Sequence, residues 1–161
     1  MKKFLNELMV HDTYIYGYGI NSRKHELYFD VDIVQEGVEN NGKCMFKVRP
    51  ATIVFKNVWD ITIDVSTDDD IIISHIETTK CGIPKNKDYV NYENEYKVNI
   101  ECLQGNIMFK TADGYLVFKG KEEIRDGISN GITLNRLLSF SLDGEIVEFL
   151  ISDHHRDRGS E

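Results

Sequence analysis

Two aspartates follow each other at two-residue spacing in residues 26–34, where Asp30 and Asp32 alternate with apolar side chains. In a β-strand this spacing places both carboxylates on one face, roughly 7 Å apart. Such a pair could hold a hard cation or act as a general acid and base, and Asp64 lies in a second acidic segment that could neighbour it. A solvated outer sheet face explains the same alternation without chemistry, and it is the interpretation that we favour.

His11 and Asp12 form a pair that metal-dependent phosphohydrolases carry on a helix, with further ligands on other helices. Here the pair precedes a strand in a β-rich sequence, so that helical scaffold is absent. The alternative is a turn at Asp12 and Thr13 that leads into the strand, with His11 packed and hydrogen-bonded. A catalytic or metal-binding hypothesis requires His11, Asp30 and Asp32 to meet in one pocket.

Tyr14, Tyr16 and Tyr18 alternate with Ile15, Gly17 and Gly19. In an unbroken strand the three tyrosines share one face, and tyrosine offers contact area and a hydrogen bond at low entropic cost. Glycines on the opposite face allow a ligand or another strand to approach the backbone closely. Packing of the rings in the core, with the hydroxyls at its rim, is the alternative. This segment is our first choice for a binding surface.

The sequence contains no GxSxG elbow, no Walker phosphate loop, no GxGxxG opening a helix and no HExxH. The cysteines Cys44, Cys81 and Cys102 are widely spaced and include no CxxC pair. We therefore expect reduced thiols in a cytoplasmic protein, and no zinc site. The prediction is no catalytic residue, no metal ligand and no cofactor.

Most of the sequence alternates between apolar and polar residues with period two, which is typical of half-buried antiparallel strands. The pattern is clearest in residues 26–34, 61–65 and 95–103. Further strands are predicted at residues 13–20, 43–49, 52–55, 71–78, 106–111 and 115–120, and helical spacing occurs only in residues 2–9 and 133–138. The predicted fold class is mainly β: an antiparallel β-sandwich or an incomplete barrel with one or two short helices.

Turn residues punctuate these strands. The sequence Asn40-Asn41-Gly42 predicts a turn, and Asp113-Gly114 predicts a hairpin between residues 107–110 and 115–118. Pro50 is expected to split a strand over residues 45–55 into two pieces or to place a bulge there. For residues 137–151, Asp143-Gly144 favours a hairpin over a helix.

The chain has 161 residues with 19 Lys+Arg and 27 Asp+Glu, a formal net charge of −8. We predict one β-rich domain over residues 1–151, followed by a loose polar tail over residues 152–161. The negative charge disfavours nonspecific binding to nucleic acid or to an anionic membrane. The N-terminus has no signal-peptide pattern, and no apolar run approaches the roughly 18 residues of a membrane span.

Several short motifs follow one another in the first half of the chain: His11-Asp12, Ile15-Tyr16-Gly17, Glu26-Leu27, Asp30-Val31-Asp32-Ile33, the run from Pro50 to Phe55, and the run from Asn57 to Ile61. In this order they resemble a family of small uncharacterised bacterial proteins, some of which are suspected immunity partners in toxin systems. The resemblance extends in part to Gly120. It implies a β-rich bacterial domain and transfers no catalytic residues.

Together these observations favour a non-enzymatic domain that binds another protein. An acidic chain suits a basic partner, as an immunity or antitoxin component would have. The candidate binding residues are Tyr14, Tyr16, Tyr18, Asp30, Asp32 and Asp64. Two alternatives stay open: a metal-dependent ligand binder or hydrolase that uses the acidic sheet face, and a homo-oligomeric structural module that associates through an exposed strand edge.

Overall fold

A computed structural model describes residues 2–8, 10–125 and 138–155. Eleven strands and a one-turn 3-10 helix, Leu5–Glu7, make up the secondary structure of these residues. The strands are β1 (Lys3–Phe4), β2 (Tyr14–Asn21), β3 (Glu26–Asn40), β4 (Lys43–Lys56), β5 (Trp59–Val65), β6 (Ile71–Gly82), β7 (Glu95–Cys102), β8 (Gly105–Thr111), β9 (Asp113–Phe118), β10 (Glu123–Arg125) and β11 (Glu145–Leu150).

The strands form one mixed sheet in the order β1-β11-β9-β4-β3-β2-β6-β7-β8-β5, with β10 beside β4. Strand β1 pairs with β11 in parallel, and the other pairs are antiparallel. We call β1, β11, β9, β4, β3 and β2 the first layer, and β6, β7, β8 and β5 the second layer. The layers are joined where Tyr14 pairs with Ile72 and Ile15 with Ile71. The prediction of a mainly β fold that is not closed into a barrel is confirmed.

The core lies between the two layers. Phe55 of the first layer packs edge-on against Phe109 of the second, with ring centroids 4.7 Å apart, and it also contacts Phe29 and Phe149 at 6.0 and 5.8 Å. Aromatic pairs at such distances add to the free energy of area burial. One apolar cluster therefore holds the layers together, although few main-chain hydrogen bonds connect them.

The three clearest predicted strands are confirmed as β3, β5 and β7, with β3 longer than expected. The predicted turn after β3 is also confirmed. Asn41 and Gly42 connect β3 to β4 with φ values of 52° and 80°. Positive φ at both central residues is the geometry that an Asn-Gly pair favours in a two-residue hairpin.

The predicted hairpin at Asp113-Gly114 is wrong. Strand β8 pairs with β7 and β5, whereas β9 pairs with β4 and β11, so the chain crosses here from the second layer to the first. Gly114 is needed for close approach rather than for a turn, because a Cβ at this position would lie 2.4 Å from Cε1 of Phe149.

The Asp143-Gly144 hairpin is also wrong, although its second strand is present as β11. Residues 138–143 form no strand, and β11 instead pairs with β9 and β1. Pro50 does not interrupt β4. Its carbonyl accepts the Lys119 N–H at 3.0 Å, and it lies between the parts of β4 that pair with β9 and β10, where a ladder donor is not needed.

In place of the predicted helix over residues 2–9, the structure has β1 and the single 3-10 turn. The predicted helix over residues 133–138 lies outside the described residues except for Leu138. Tail residues 152–155 are not loose, because His154 and Thr78 exchange two main-chain hydrogen bonds at 2.8 Å. In the described part of the chain, no helix has the length and apolar character needed to cross a membrane.

Candidate binding surface

The three tyrosines of β2 do not share one face, because a bulge interrupts the strand. Ile15 pairs with Val31 and Gly17 with Asp30, so Tyr16 is an extra residue. A bulge of this kind shifts the alternation of side chains by one position. Tyr18 therefore faces the core side opposite Phe29, and the predicted common face of Tyr14, Tyr16 and Tyr18 is corrected.

Tyr14 and Tyr16 remain together on the other side, which we call the outer face of the first layer. Their ring centroids are 6.2 Å apart, and the Tyr16 hydroxyl donates a hydrogen bond to Asp32 Oδ2 at 2.6 Å. Burial, followed by the negative charges of Asp70 and Asp69, raises the pKa of Tyr14 above its ordinary value. The acidic turn before β6 thus lies close to the start of β2.

Asp30 and Asp32 do not form the solvated acidic face that the alternation predicts. Their exposed fractions are 0% and 3%. Asp30 Oδ1 accepts a hydrogen bond from Lys119 Nζ at 2.6 Å, and its Oδ2 accepts the Ser139 N–H at 2.8 Å. Asp30 is therefore a structural group beneath another part of the chain, and Asp32 is buried beside Tyr16. Asp64, which is exposed on β5, is far along the sheet order from both.

The covering segment is residues 138–141. Lys119 Nζ also donates to the Ser139 carbonyl, and Thr52 Oγ1 lies 3.4 Å from the carbonyl oxygens of Ser139 and Ser141. Lys119, itself 7% exposed at its side chain, thus joins the buried carboxylate to this segment. We call Asp30, Lys119 and Ser139 the buried latch.

Two residues of the covering segment lie against the glycines of β2. A Cβ at position 17 would lie 2.5 Å from Leu138 Cδ1, and one at position 19 would lie 3.6 Å from the Phe140 ring. The expectation that these glycines permit a close approach is confirmed, and what approaches is the chain itself. Residues 17–21 are consequently supported on one face by residues 138–140 and along one edge by β3.

The other edge of residues 17–21 has no strand partner among the described residues, since β6 pairs with β2 only at Tyr14 and Ile15. Two apolar side chains emerge beside this edge on one face: Tyr18 is 41% exposed and Ile20 is 54% exposed. We call residues 17–21 the free edge of β2. Ile20 was not among the binding residues predicted from the sequence. The two-residue alternation of large side chains, which continues from Tyr18 to Ile20, could have indicated it.

His11 lies away from the two aspartates. It donates through Nδ1 to the Ser74 carbonyl on β6 at 2.5 Å, whereas Asp30 and Asp32 lie on the outer face of β3. No three His, Cys, Asp or Glu side chains in residues 2–8, 10–125 and 138–155 are arranged to hold a metal ion.

Burial raises the pKa of the Cys102 thiol to about 11, while Cys44 and Cys81 are exposed. Burial of this kind makes Cys102 a poor nucleophile.

Comparison with known proteins finds no matching family model, no matching curated protein and no matching solved structure. The resemblance to small bacterial proteins accordingly stays a prediction, and the functional inference depends on the geometry of the site.

Proposed function

We propose that this protein is a non-enzymatic binding domain that takes up an extended segment of a basic partner protein along the free edge of β2. The observation that carries this proposal is the edge of residues 17–21, which has no strand partner in the described part of the chain and has Tyr18 and Ile20 exposed beside it. An added strand gains affinity from main-chain hydrogen bonds and specificity from alternate side chains. Tyr18 and Ile20 have the two-residue spacing that such alternate contacts require.

The free edge is held in an extended conformation before any partner arrives. Strand β3 pairs with each of its residues, and Leu138 and Phe140 pack against Gly17 and Gly19. A surface that is already ordered loses less conformational entropy on binding. The side chains that the sequence offered for catalysis are meanwhile engaged within the fold, Asp30 with Lys119 and Asp32 with Tyr16.

Charge favours a basic partner over a second copy of this chain. The formal net charge is −8, so two copies repel each other, whereas a basic protein is attracted. Locally, Asp70 directly precedes Ile71, which pairs with Ile15, so the exposed turn Asp68-Asp69-Asp70 lies at the end of β2 where the free edge begins. A partner segment with Lys or Arg at that end would meet opposite charge.

This mode of binding suits a bacterial immunity or antitoxin component that blocks a basic toxin, the role that the sequence resemblance implies. Action in the cytoplasm is part of the same proposal. It is supported by cysteines that are free in the described structure, two of them exposed, as reducing compartments permit.

An Ile20→Lys variant tests the edge. Affinity purification of the tagged chain from its native cells should recover a stoichiometric basic partner with the wild type. Ile20→Lys should weaken recovery by about 30-fold or more, the equivalent of losing a hot-spot residue worth about 2 kcal/mol. A lysine placed on an exposed edge is a common natural device against strand pairing.

Leu103→Lys is the matched control, since Leu103 is 67% exposed in the turn between β7 and β8 and receives the same charge. It should leave recovery unchanged. Light scattering of the purified wild type should give a monomer. A chain that emerges alone, a dimer that Ile20→Lys separates, or equal recovery with both variants would each contradict the proposal.

A further inference from the structure

A cavity of about 460 Å³ opens at one end of the first layer, away from the latch. Its lining comes from the β2–β3 turn, the start of β3, the end of β4, the loop after β6 and strand β9. The volume lies within the usual range of small-molecule sites. Lys24, Glu26, Lys56, Tyr92 and Tyr115 contribute the charged and aromatic parts of its wall.

Glu26 is the most unusual group in this wall, because it is a carboxylate that is 7% exposed. Its Oε1 accepts a hydrogen bond from the Tyr28 hydroxyl at 3.2 Å, and it forms no ion pair with any described residue. Carboxylates this deeply buried are almost always paired with a cation. A ligand that carries an ammonium group would supply the missing charge.

Two lysines, whose charge is opposite to that of Glu26, line the same cavity. Neither Lys24 nor Lys56 has a carboxylate within 4 Å in the part of the chain that the structure describes, although both belong to the lining. Both charge types act on Tyr115: burial first and then Glu26 raise the pKa of its hydroxyl, while Lys56 lowers that pKa. One positive and one negative group therefore line the cavity within electrostatic reach of Tyr115.

Hydrogen bonds within the chain hold this wall in place. The Asn57 and Asn86 side chains exchange two amide hydrogen bonds, at 3.0 and 2.8 Å, and thereby attach the loop after β6 to the end of β4. Val90 and Tyr92, which follow on the same loop, provide an apolar surface at the cavity. A ligand thus meets a fixed carboxylate, two ammonium groups and an apolar wall.

We propose that this cavity binds a small zwitterion of the α-amino acid class. Its ammonium group pairs with Glu26, its carboxylate lies between Lys24 and Lys56, and its side chain packs against Val90 and Tyr92. Charge-assisted hydrogen bonds at both ends select a molecule that carries both charges over one that carries only one of them. This site shares no residue with the free edge of β2, although Glu26 pairs with Asn21 at the end of that edge.

The single tryptophan of the chain is a natural reporter for the cavity. Trp59 stacks on His25 with ring centroids 4.4 Å apart, and His25 belongs to the lining. Ligand entry that moves His25 should change the fluorescence of Trp59. The purified chain is titrated separately with each of the twenty common amino acids, and its melting temperature is measured alongside.

At least one amino acid should give a saturable fluorescence change and raise the melting temperature. The corresponding amine without the carboxylate, and the corresponding acid without the amino group, should each bind at least about tenfold more weakly. Glu26→Gln should weaken binding of the amino acid by roughly ten- to hundredfold, as expected for loss of a hydrogen bond to a charged group. Lys24→Met, at an exposed position in the β2–β3 turn, should weaken binding of the amino acid as well.

Lys43→Met is the control, because Lys43 lies beside the β3–β4 turn at the far end of these strands. It should bind like the wild type. The proposal is overturned if no amino acid binds, if the acid or the amine binds as tightly as the amino acid, or if Lys24→Met and Glu26→Gln both bind like Lys43→Met.

Discussion

Lys119→Met should lower the free energy of unfolding by about 3–5 kcal/mol, a large fraction of the total for a domain of this size. The substitution removes the ammonium group that lies 2.6 Å from Asp30 Oδ1 and leaves a carboxylate of 0% exposure without this partner. It also removes the donor to the Ser139 carbonyl. Loss of one member of a buried ion pair costs more than the pair itself contributes, because the remaining charge stays desolvated.

Urea denaturation monitored by Trp59 fluorescence measures this change, with the slope of the transition checked for constancy. Lys47→Met is the control, since Lys47 pairs with Glu36 and Glu122 at the surface, and its removal should change stability little. The double variant Asp30→Asn with Lys119→Met should recover part of the loss, because the buried carboxylate that has lost the Lys119 ammonium group is then replaced by a neutral amide. A Lys119→Met protein as stable as the Lys47→Met protein would show that the latch does not hold residues 138–141.

Phe55→Ala should also cost about 3–5 kcal/mol, in the range measured for large aromatic residues deleted from protein cores. Phe55 is 0% exposed, and its ring contacts aromatic rings of β3, β8 and β11. The β8 contact is the one that spans the two layers, whose strands share two residue pairs, both between β2 and β6, in the described part of the chain. The same urea experiment measures the loss.

Phe4→Ala is the matched control for this variant. Phe4 lies on β1 with 38% of its surface exposed, so its removal should change the unfolding free energy by no more than about 1 kcal/mol. Equal effects of the two substitutions would mean that the layers are not held together by the ring cluster.

The alternation in β3 predicted the strand and its core face correctly, with Leu27, Phe29, Val31 and Ile33 all buried. It could not predict what covers the other face. Polar side chains at alternate positions look the same whether water or another segment lies over them, and the cover comes from Lys119 and Ser139, distant in sequence. The prediction of a solvated acidic face was therefore wrong for Asp30, although the predicted strand is present.

The errors on β2 and at the hairpins have a different origin. A bulge adds one residue without any change in composition, so the sequence of β2 placed Tyr18 on the same face as Tyr16. The sequence Asp113-Gly114 suits a turn when it is considered alone. No hairpin forms there because the strand before it pairs in the second layer and the strand after it pairs in the first. The sequence predicted that the free edge belongs to a tyrosine-bearing strand. It could not predict that this strand has no partner beyond Ile15 among the described residues, because that depends on the order of strands in the sheet.

Amide hydrogen exchange of residues 17–21, measured for the free chain and for its complex with the recovered partner, tests the central claim most directly. An edge amide is open to water, and one paired with an added strand exchanges only when that pairing opens. Addition of a strand to β2 predicts that exchange at Tyr18 and Ile20 slows by about tenfold or more in the complex. Unchanged exchange throughout residues 17–21, with protection at another edge such as β5, would contradict binding at this site.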